Sequence, residues 1–243
     1  MVIYGINPVA EAIKSGRVAE IRVADRADDR LRRLLDDAAA GGVRVRRVSR
    51  DVLDAESRGG AHQGVVADVA RRAEVTLADL ARSEGGPPLI VVLDEVEDPQ
   101  NVGAILRTVD ASGATGVIRQ TRRAAALDGA AVKASAGAVN FVPVADVVNI
   151  ARSLEELKKA GVWTVGLDAE AEMSYYDWDF TLPTALVVGA EGHGLRRLVR
   201  ERCDQVASIP MLGHVGSLNV SAACAIVLYE AVRQRRSRSR GRP

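Results

Sequence analysis

The sequence lacks the patterns that mark several large classes of protein. No apolar run approaches 18 residues, the length at which a membrane-spanning helix is expected. Neither G-x-G-x-x-G nor G-x-x-x-x-G-K-[ST] occurs, so both common phosphate-binding loops are missing. The chain begins directly with the strand-like segment MVIYGI, without the layout of a signal peptide. We therefore expect neither a membrane protein nor a standard nucleotide enzyme, and we expect a cytoplasmic location.

Metal-binding and disulfide patterns are missing as well. Cys203 and Cys224 stand alone, with no C-x-x-C pair, and the three histidines have no spacing typical of metal ligands. The sequence therefore predicts no metal site and no disulfide framework.

The composition is that of a globular protein with an uneven distribution of charge. The 243 residues are 47% apolar and 27% charged, which allows one large or two modest domains. The net charge is +1, but residues 233–243 contain six arginines and no acid, so the rest of the chain carries −5. We expect residues 234–243 to form a basic, disordered tail that binds phosphate groups, such as those of RNA. The alternative is a solubilising end with no specific partner.

The first 72 residues predict a small α/β domain. Residues 29–40 have the apolar spacing of a helix, and residues 43–48 alternate as a half-buried strand with its arginines outward. His62 opens an H-Q-G segment before another strand, and a lone histidine of this kind favours a structural role. Residues 73–88 predict a linker, with a short helix near 77–81 and a Gly-Gly-Pro-Pro stretch.

The second domain is predicted to cover residues 89–233. It opens with an apolar run typical of a buried parallel strand. Asn101 is a candidate N-cap for the next helix, whose apolar positions leave Arg107 pointing away from the core. Gly103 leaves room for a close approach.

Two glycine-bearing loops near the C-terminus each follow a short strand and precede a helix. The first contains Gly189, Gly192 and Gly194, and the second contains Gly213 and Gly216. In parallel α/β sheets such loops lie at the carboxyl ends of the strands, where ligands bind. The second loop, residues 210–219, has no Lys or Arg, so it favours an adenosine without phosphates over a phosphate group. A purely conformational role for each glycine is the alternative.

Three segments together resemble the motifs of a known enzyme family. They are Asp98-Pro99-Gln100-Asn101-Val102-Gly103-Ala104-Ile105-Leu106-Arg107-Thr108, then Val188-Gly189-Ala190-Glu191-Gly192-x-Gly194, then Ile209-Pro210-Met211 through Ser217-Leu218-Asn219-Val220-Ser221. In this order they are similar to the motifs of the SpoU/TrmH family of RNA ribose 2'-O-methyltransferases. The N-terminal stretch also resembles the substrate-binding domain of the rRNA-modifying branch.

The resemblance implies a fold, a cofactor and a set of site residues. The fold would be an α/β domain with a parallel sheet and a trefoil knot (the SPOUT fold), preceded by a small α/β substrate-binding domain. S-adenosyl-L-methionine would be the cofactor, and RNA, most simply a guanosine of 23S rRNA, the substrate. The catalytic set would be Arg107, Asn101, Glu191, Ser217 and Asn219. The cofactor set would be Gly189, Ala190, Gly192, Ile209, Met211, Leu212, Ser217 and Leu218.

The identity of the general base stays open at this stage. Residue chemistry alone nominates His193 or His214, because histidine titrates near neutral pH. The resemblance nominates Arg107, but a guanidinium is effectively never deprotonated in proteins. We therefore expect Arg107 to orient the ribose or a neighbouring phosphate and to stabilise developing negative charge.

Three other functions remain as alternatives. One is a doubly wound nucleotide enzyme, against which the missing phosphate loops argue. Another is an RNA-binding protein without catalysis, against which the complete polar set argues. Within the family, tRNA is the alternative substrate.

The last predicted helix suggests an assembly. From Val220 to Val232 the apolar positions extend well beyond one stripe, so the helix needs cover on more than one side. Its small residues would allow another helix to approach closely. Complete burial within one chain is one solution, and a homodimer through this C-terminal helix is the other, which the family resemblance favours.

Overall fold

The computed structural model describes residues 2–24, 29–70, 74–83, 85–125, 127 and 129–240. The chain divides into two compact units, residues 1–73 and 74–243. The predicted boundary at 72/73 lies outside the described residues, as do residue 84 of the predicted linker and residues 241–243 of the predicted tail.

The first unit is a four-stranded mixed sheet with helices. Its elements are β1 (Val2–Tyr4), α1 (Ile6–Lys14), β2 (Val18–Ala24), α2 (Asp29–Ala40), β3 (Arg44–Val48), α3 (Arg50–Glu56) and β4 (Val65–Val69). The strand order is β1-β4-β2-β3. β4 runs antiparallel to both of its neighbours, and β3 runs parallel to β2.

The helix expected over residues 29–40 is confirmed, with Leu31 and Leu34 in the core of the unit. The strand expected over residues 43–48 is present as β3 with its arginines exposed, and Val43 and Val48 are half-buried as expected. β3 is an edge strand with β2 as its neighbour, and Val45 is 40% exposed along with the arginines.

The H-Q-G segment is a structural turn. The buried His62 ring accepts a hydrogen bond at Nδ1 from the Gly64 amide at 3.0 Å, so its Nε2–H donates to Asp54 Oδ1 at 3.0 Å. Gln63 Oε1 accepts from the Ile6 amide at the start of α1. These contacts tie α3 and α1 to the turn before β4, which agrees with the structural interpretation of the lone histidine.

The second unit is a seven-stranded parallel sheet between helices. Its elements are α4 (Leu77–Ala81), β5 (Leu89–Asp94), α5 (Pro99–Ser112), β6 (Gly116–Gln120), α6 (Gly129–Ala134), β7 (Val144–Val147), α7 (Ile150–Lys159), β8 (Trp163–Leu167), β9 (Met173–Ser174), β10 (Thr184–Gly189), α8 (Arg197–Arg202), β11 (Gln205–Ser208) and α9 (Val220–Arg240). The strand order is β7-β6-β5-β10-β8-β11-β9, and each neighbouring pair is parallel.

Helices cover both faces of this sheet, which confirms the α/β class. α5 and α9 bury apolar side chains such as Ile105 and Val227 on one face. α7 and α4 bury side chains such as Leu154 and Leu80 on the other. β5 and β10 form the centre and are buried along their whole length, as expected for strands covered on both faces. The trefoil knot stays a prediction.

Part of the predicted linker packs into the second unit. The helix expected near residues 77–81 is present as α4, and Thr76 and Asp79 close a capping box at its start. Leu80 is buried against Ile90 and Ile118 of the sheet.

The expectation of a disordered tail is wrong up to Arg240, where α9 ends. Arg235 is the physical reason, because its guanidinium donates to the carbonyl oxygens of Pro87, Pro88, Phe180 and Leu182 at 2.6 to 3.2 Å. Burial lowers its pKa from the ordinary value. Gln234 adds hydrogen bonds to the Trp178 carbonyl and from the Phe180 amide. These contacts fasten the end of α9 to the segments that lead into β5 and β10.

Both cysteines are unpaired and shielded. Burial raises the pKa of the Cys203 thiol and of the Cys224 thiol to about 12. In the described part of the chain, no helix has the length and apolarity that crossing a membrane would require.

Candidate active site

Two glycine loops lie at the carboxyl edge of the parallel sheet, as the sequence predicts. Residues 190–196 connect β10 to α8, and residues 209–219 connect β11 to α9. β8 lies between β10 and β11 in the sheet, so the segment after β8 emerges between the two loops. Parallel strands place their carboxyl ends together, and the three segments therefore face one another.

These segments enclose a cleft of about 610 Å³. Residues 167–170, at the end of β8, and residues 188–195, around the first glycine loop, form two of its walls. The third wall comes from the end of β11, the second glycine loop and the start of α9: Ala207, Ile209, Met211, Gly216, Ser217, Leu218, Asn219, Val220 and Ala223. The segment Leu167–Glu170 was missed from the sequence. Its one signal was an Asp-Ala-Glu run directly after a strand, which on its own does not indicate a ligand.

Most of the residues assigned to the cofactor line this cleft. Gly189, Ala190, Gly192, Ile209, Met211, Ser217 and Leu218 all do so. Leu212 does not, and its side chain is 98% exposed.

The first glycine of the loop has a structural cause. A Cβ on Gly189 would lie 2.1 Å from the carbonyl carbon and oxygen of Gly194, so no larger residue fits without moving the backbone. The Gly194 amide donates to the Ala190 carbonyl at 2.9 Å, and Gly194 has a φ of 64°. The loop therefore folds back on the end of β10. In contrast, a Cβ on Gly213 or Gly216 would meet no described atom within 4 Å, so the second loop is open to an approaching group.

The three motifs meet in one hydrogen-bonded cluster. Asn101 Nδ2 donates to Glu191 Oε1 at 2.8 Å. Asn219 Nδ2 donates to the same Glu191 oxygen at 2.7 Å and to Asn101 Oδ1 at 2.9 Å. Side chains from the start of α5, from the first glycine loop and from the end of the second are thus held together beside the cleft.

Asn101 is not the N-cap that the sequence suggested. Asp98 caps α5 by accepting from the Gln100 amide at 2.9 Å, and Pro99 takes the first helical position. Asn101 therefore lies inside the first turn, mostly buried, with its amide directed at Glu191.

Arg107 and Ser217 lie outside the cluster. Ser217 lines the cleft and is exposed. Arg107 is exposed on α5, six residues or about 9 Å along the helix from Asn101, and it does not line the cleft. Within the described residues it has no hydrogen-bond or ion-pair partner. Its guanidinium is therefore free to bind a substrate.

The room at Gly103 is filled by the chain itself. A Cβ there would lie 2.5 Å from the Ala134 Cβ and 2.7 Å from the Ala131 carbonyl oxygen. The glycine thus allows α6 to pack closely on α5.

Of the two candidate histidine bases, His193 lines the cleft and His214 does not. The described residues contain no group of three or more His, Cys, Asp or Glu side chains arranged to hold a metal.

The charged side chains among the described residues that line the cleft are all acidic. No Lys or Arg occurs among the described residues that line it, whereas Asp168, Glu170 and Glu191 do. Burial raises the pKa of the Asp168 carboxyl, but hydrogen bonds from Arg200 and from the Glu170 amide outweigh this and hold that pKa below its ordinary value. The Glu170 carboxylate forms no hydrogen bond or salt bridge within the described part of the chain, although Arg200 is near enough to interact with it electrostatically. Such a lining favours a cationic ligand.

Comparison with known proteins covers both units. Residues 88–229 match the SpoU rRNA Methylase family, and residues 2–75 match the domain described as RNA 2'-O ribose methyltransferase substrate binding. The 23S rRNA (guanosine-2'-O-)-methyltransferase RlmB of Pseudomonas syringae pv. tomato is 44% identical over 96% of this chain and 95% of its own length. The putative TrmH family tRNA/rRNA methyltransferase YacO of Bacillus subtilis is 42% identical with the same coverage. Among solved structures, the SpoU methyltransferase AviRb of Streptomyces viridochromogenes in complex with AdoMet matches with a TM-score of 0.76 and 31% identity, over 98% of this chain and 91% of that one.

Proposed function

The chain belongs to the SpoU rRNA Methylase family, and we propose that it transfers the methyl group of S-adenosylmethionine to the ribose 2'-hydroxyl of a guanosine in 23S rRNA. The observation that carries the proposal is the hydrogen-bonded cluster of Asn101, Glu191 and Asn219, one residue from each motif, at the edge of the cleft. The substrate follows the relative from Pseudomonas syringae, which is 44% identical over nearly the whole chain.

The cleft residues fit the cofactor. The volume of about 610 Å³ is within the range of small-molecule sites. Apolar side chains such as Ile209 and Leu218 provide surface for an adenine ring, and the open backbone at Gly216 allows a base edge to approach. The carboxylates, without a competing cation in the lining, suit the positive charge of a sulfonium. S-adenosylmethionine, when bound, supplies an electrophilic methyl group.

The protein's part in the reaction is positioning and charge stabilisation. Arg107, which has no partner among the described residues, binds the phosphate next to the target ribose and stabilises negative charge on the 2'-oxygen. Asn101 and Asn219 fix Glu191 through Oε1, which leaves Oε2 available to a substrate hydroxyl. Ser217, exposed in the cleft wall, is placed to donate or accept a further hydrogen bond. Holding the reacting groups in line can lower the barrier by about 7 kcal/mol in ideal cases.

The first unit is the RNA-binding part in this proposal. Its match to a substrate-binding domain of RNA 2'-O ribose methyltransferases supports the assignment. With ribosomal RNA as substrate, the site of action is the cytoplasm. The alternative substrate is tRNA, which is favoured only by the double tRNA/rRNA name of the Bacillus subtilis relative.

The exposed face of α9 supports a homodimer. One face of the helix is buried on the sheet through side chains such as Cys224 and Leu228. The opposite face presents Ile226, 37% exposed, and Tyr229, 51% exposed, next to small alanines. A second copy of the chain presents the same apolar face, so we infer that the two copies cover each other here by two-fold symmetry.

A methyl-transfer assay tests the proposal. Purified protein is incubated with S-adenosylmethionine carrying a labelled methyl group and with unmodified 23S rRNA, and 2'-O-methylation is then mapped. We expect label at one guanosine, and none with Arg107→Ala. Label in tRNA only would favour the alternative substrate, and binding of RNA without label would leave a non-catalytic RNA-binding protein.

A further inference from the structure

We propose that Arg196 is a positioning residue of the methyl-transfer site, which holds the first glycine loop in place for the cofactor and for Glu191. The inference rests on the proposed function. Arg196 directly follows the loop residues that line the cleft, and it precedes α8. From the sequence it looks like one of several solvated arginines on a helix.

Arg196 forms a multiple cross-link to the end of β5. Its Nε donates to Asp94 Oδ1 at 2.8 Å, and its backbone amide donates to Asp94 Oδ2 at 2.9 Å. Nη2 also lies 2.5 Å from Asp94 Oδ1. Asp94 is fully buried, and within the described residues the guanidinium and the backbone amide of Arg196 are its hydrogen-bond donors.

The same guanidinium reaches two further segments. Nη1 donates to Glu95 Oε1 at 3.2 Å, and Nη2 donates to Gln120 Oε1 at the end of β6. Arg123 Nη1 donates to the same Glu95 oxygen at 3.1 Å. The segments after β5, β6 and β10 are therefore joined at one point.

The Asp94–Arg196 cross-link joins the same part of the chain as the hydrogen bond between Asn101 and Glu191. Asp94 lies seven residues before Asn101, and Arg196 lies five residues after Glu191. The Asp94–Arg196 pair and the Asn101–Glu191 hydrogen bond thus connect the same two segments at two places. With the first connection broken, the hydrogen bonds of Glu191 to Asn101 and Asn219 have to hold the 189–195 loop without the support of Arg196, so we expect Glu191 and the loop to be positioned less firmly.

Lysine cannot replace this arginine. Its single ammonium retains the positive charge near Asp94, but it cannot donate along the plane of a fork to Asp94, Glu95 and Gln120 at once. Arg196→Lys therefore separates the geometric contribution of the residue from its charge.

The test compares Arg196→Lys with a matched control, Arg119→Lys. Arg119 is 16% exposed and pairs at 2.7 Å with Asp146, which is 49% exposed, and it also donates to the Ala125 carbonyl. Among the described residues it forms no hydrogen bond or ion pair with the glycine loop or the cleft lining. For both variants we would measure thermal stability, the Kd of S-adenosylmethionine by calorimetry, and kcat and KM for labelled methyl transfer.

We expect both variants to fold with moderately lower Tm, whereas only Arg196→Lys weakens cofactor binding, by tenfold or more, and lowers kcat. A Kd and kcat within twofold of wild type for Arg196→Lys, at the same loss of Tm as the control, would show a purely structural role and overturn the inference. Wild-type protein that binds no S-adenosylmethionine would instead overturn the proposed function.

Asp94→Asn provides a second measurement in case Arg196→Lys does not fold. It keeps the shape of the acceptor but removes its charge, so we expect the same direction of change in Kd. An Asp94→Asn protein that folds and binds the cofactor as wild type does would also contradict the inference.

Discussion

Asn219 donates to Asn101 Oδ1 at 2.9 Å although 118 residues separate them in the chain. The same Asn219 amide nitrogen donates to Glu191, while its Oδ1 accepts from the Ser221 amide at 2.9 Å at the start of α9. One side chain therefore both caps a helix and completes the polar cluster. The two roles can be separated by mutation.

We predict that Asn219→Ser and Asn219→Ala both lose methyl transfer, because neither retains the amide donor to Asn101 and Glu191. Serine retains a capping oxygen and alanine does not. Their free energies of unfolding should therefore differ by about 0.5–2 kcal/mol, the usual contribution of an N-cap. Denaturant unfolding and the labelled-methyl assay together measure both effects. Substantial activity in Asn219→Ser would mean that the cap, and not the donor, is what the site requires.

Arg107→Ala should abolish methyl transfer while Tm and cofactor Kd stay near their wild-type values, since the side chain is exposed and has no partner among the described residues. Calorimetry, thermal unfolding and the rate of labelled methyl transfer test the three parts. His193→Ala serves as the control and should be comparatively mild. A rate within about tenfold of wild type, or about 1.4 kcal/mol of barrier, would reduce Arg107 to a surface arginine.

Glu170→Gln should weaken S-adenosylmethionine binding and leave its demethylated product unaffected. The Glu170 carboxylate lines the cleft without a hydrogen bond or salt bridge in the described chain, and only the sulfonium ligand carries the extra positive charge. A charge pair about 4 Å apart in water contributes about 1 kcal/mol, which corresponds to about fivefold in Kd. Calorimetric titration with both ligands measures the ratio. Equal losses for the two ligands would mean that Glu170 acts through the shape of the loop.

Tyr229→Glu should convert a dimer into a monomer, because it places a charge in the centre of the exposed face of α9. Val148→Glu is the matched control, since Val148 is 86% exposed between β7 and α7 and should tolerate the charge. Light scattering at micromolar concentration gives the masses. A monomeric wild type would remove the proposed dimer, and a dimeric Tyr229→Glu would move the interface to another surface.

Arg235→Met should lower the free energy of unfolding, since four carbonyl oxygens lose their shared donor. A buried polar group left without a partner costs about 1–3 kcal/mol. Arg152→Met removes an exposed pair within one helix, at 82% side-chain exposure, and should cost far less. Denaturant unfolding compares the two. Equal effects would show that water replaces Arg235 at these carbonyls.

The sequence alone predicted those features of the fold that depend on short stretches of the chain. The glycine loops follow strands as predicted because apolar runs, turn residues and helical spacing are all contained in short windows. The meeting of Asn101, Glu191 and Asn219 was accessible only through family resemblance, since nothing local indicates that residues 101 and 219 lie in contact.

The features that were missed depend on strand order and on distant acceptors. Leu167–Glu170 joins the cleft because β8 lies between β10 and β11, which spacing does not reveal. Arg196 and Asp94 are 102 residues apart in the chain. In the sequence, Asp94 is an acid directly after an apolar run, and that pattern does not show that its side chain is buried. The tail was expected to be disordered from its composition, whereas the carbonyls that hold Arg235 lie in other parts of the chain.

The burial of both native thiols has a practical consequence. With pKa values of about 12, Cys203 and Cys224 carry almost no thiolate at neutral pH, and thiolate is the form that alkylating dyes attack. A fluorophore can therefore be attached through Leu212→Cys, whose position is 98% exposed beside the cleft, without first replacing the native cysteines. On unfolding, the two native thiols return to a pKa near 8.5 and begin to react. The same reagent then labels a single site on the folded enzyme and counts the molecules that have lost their fold.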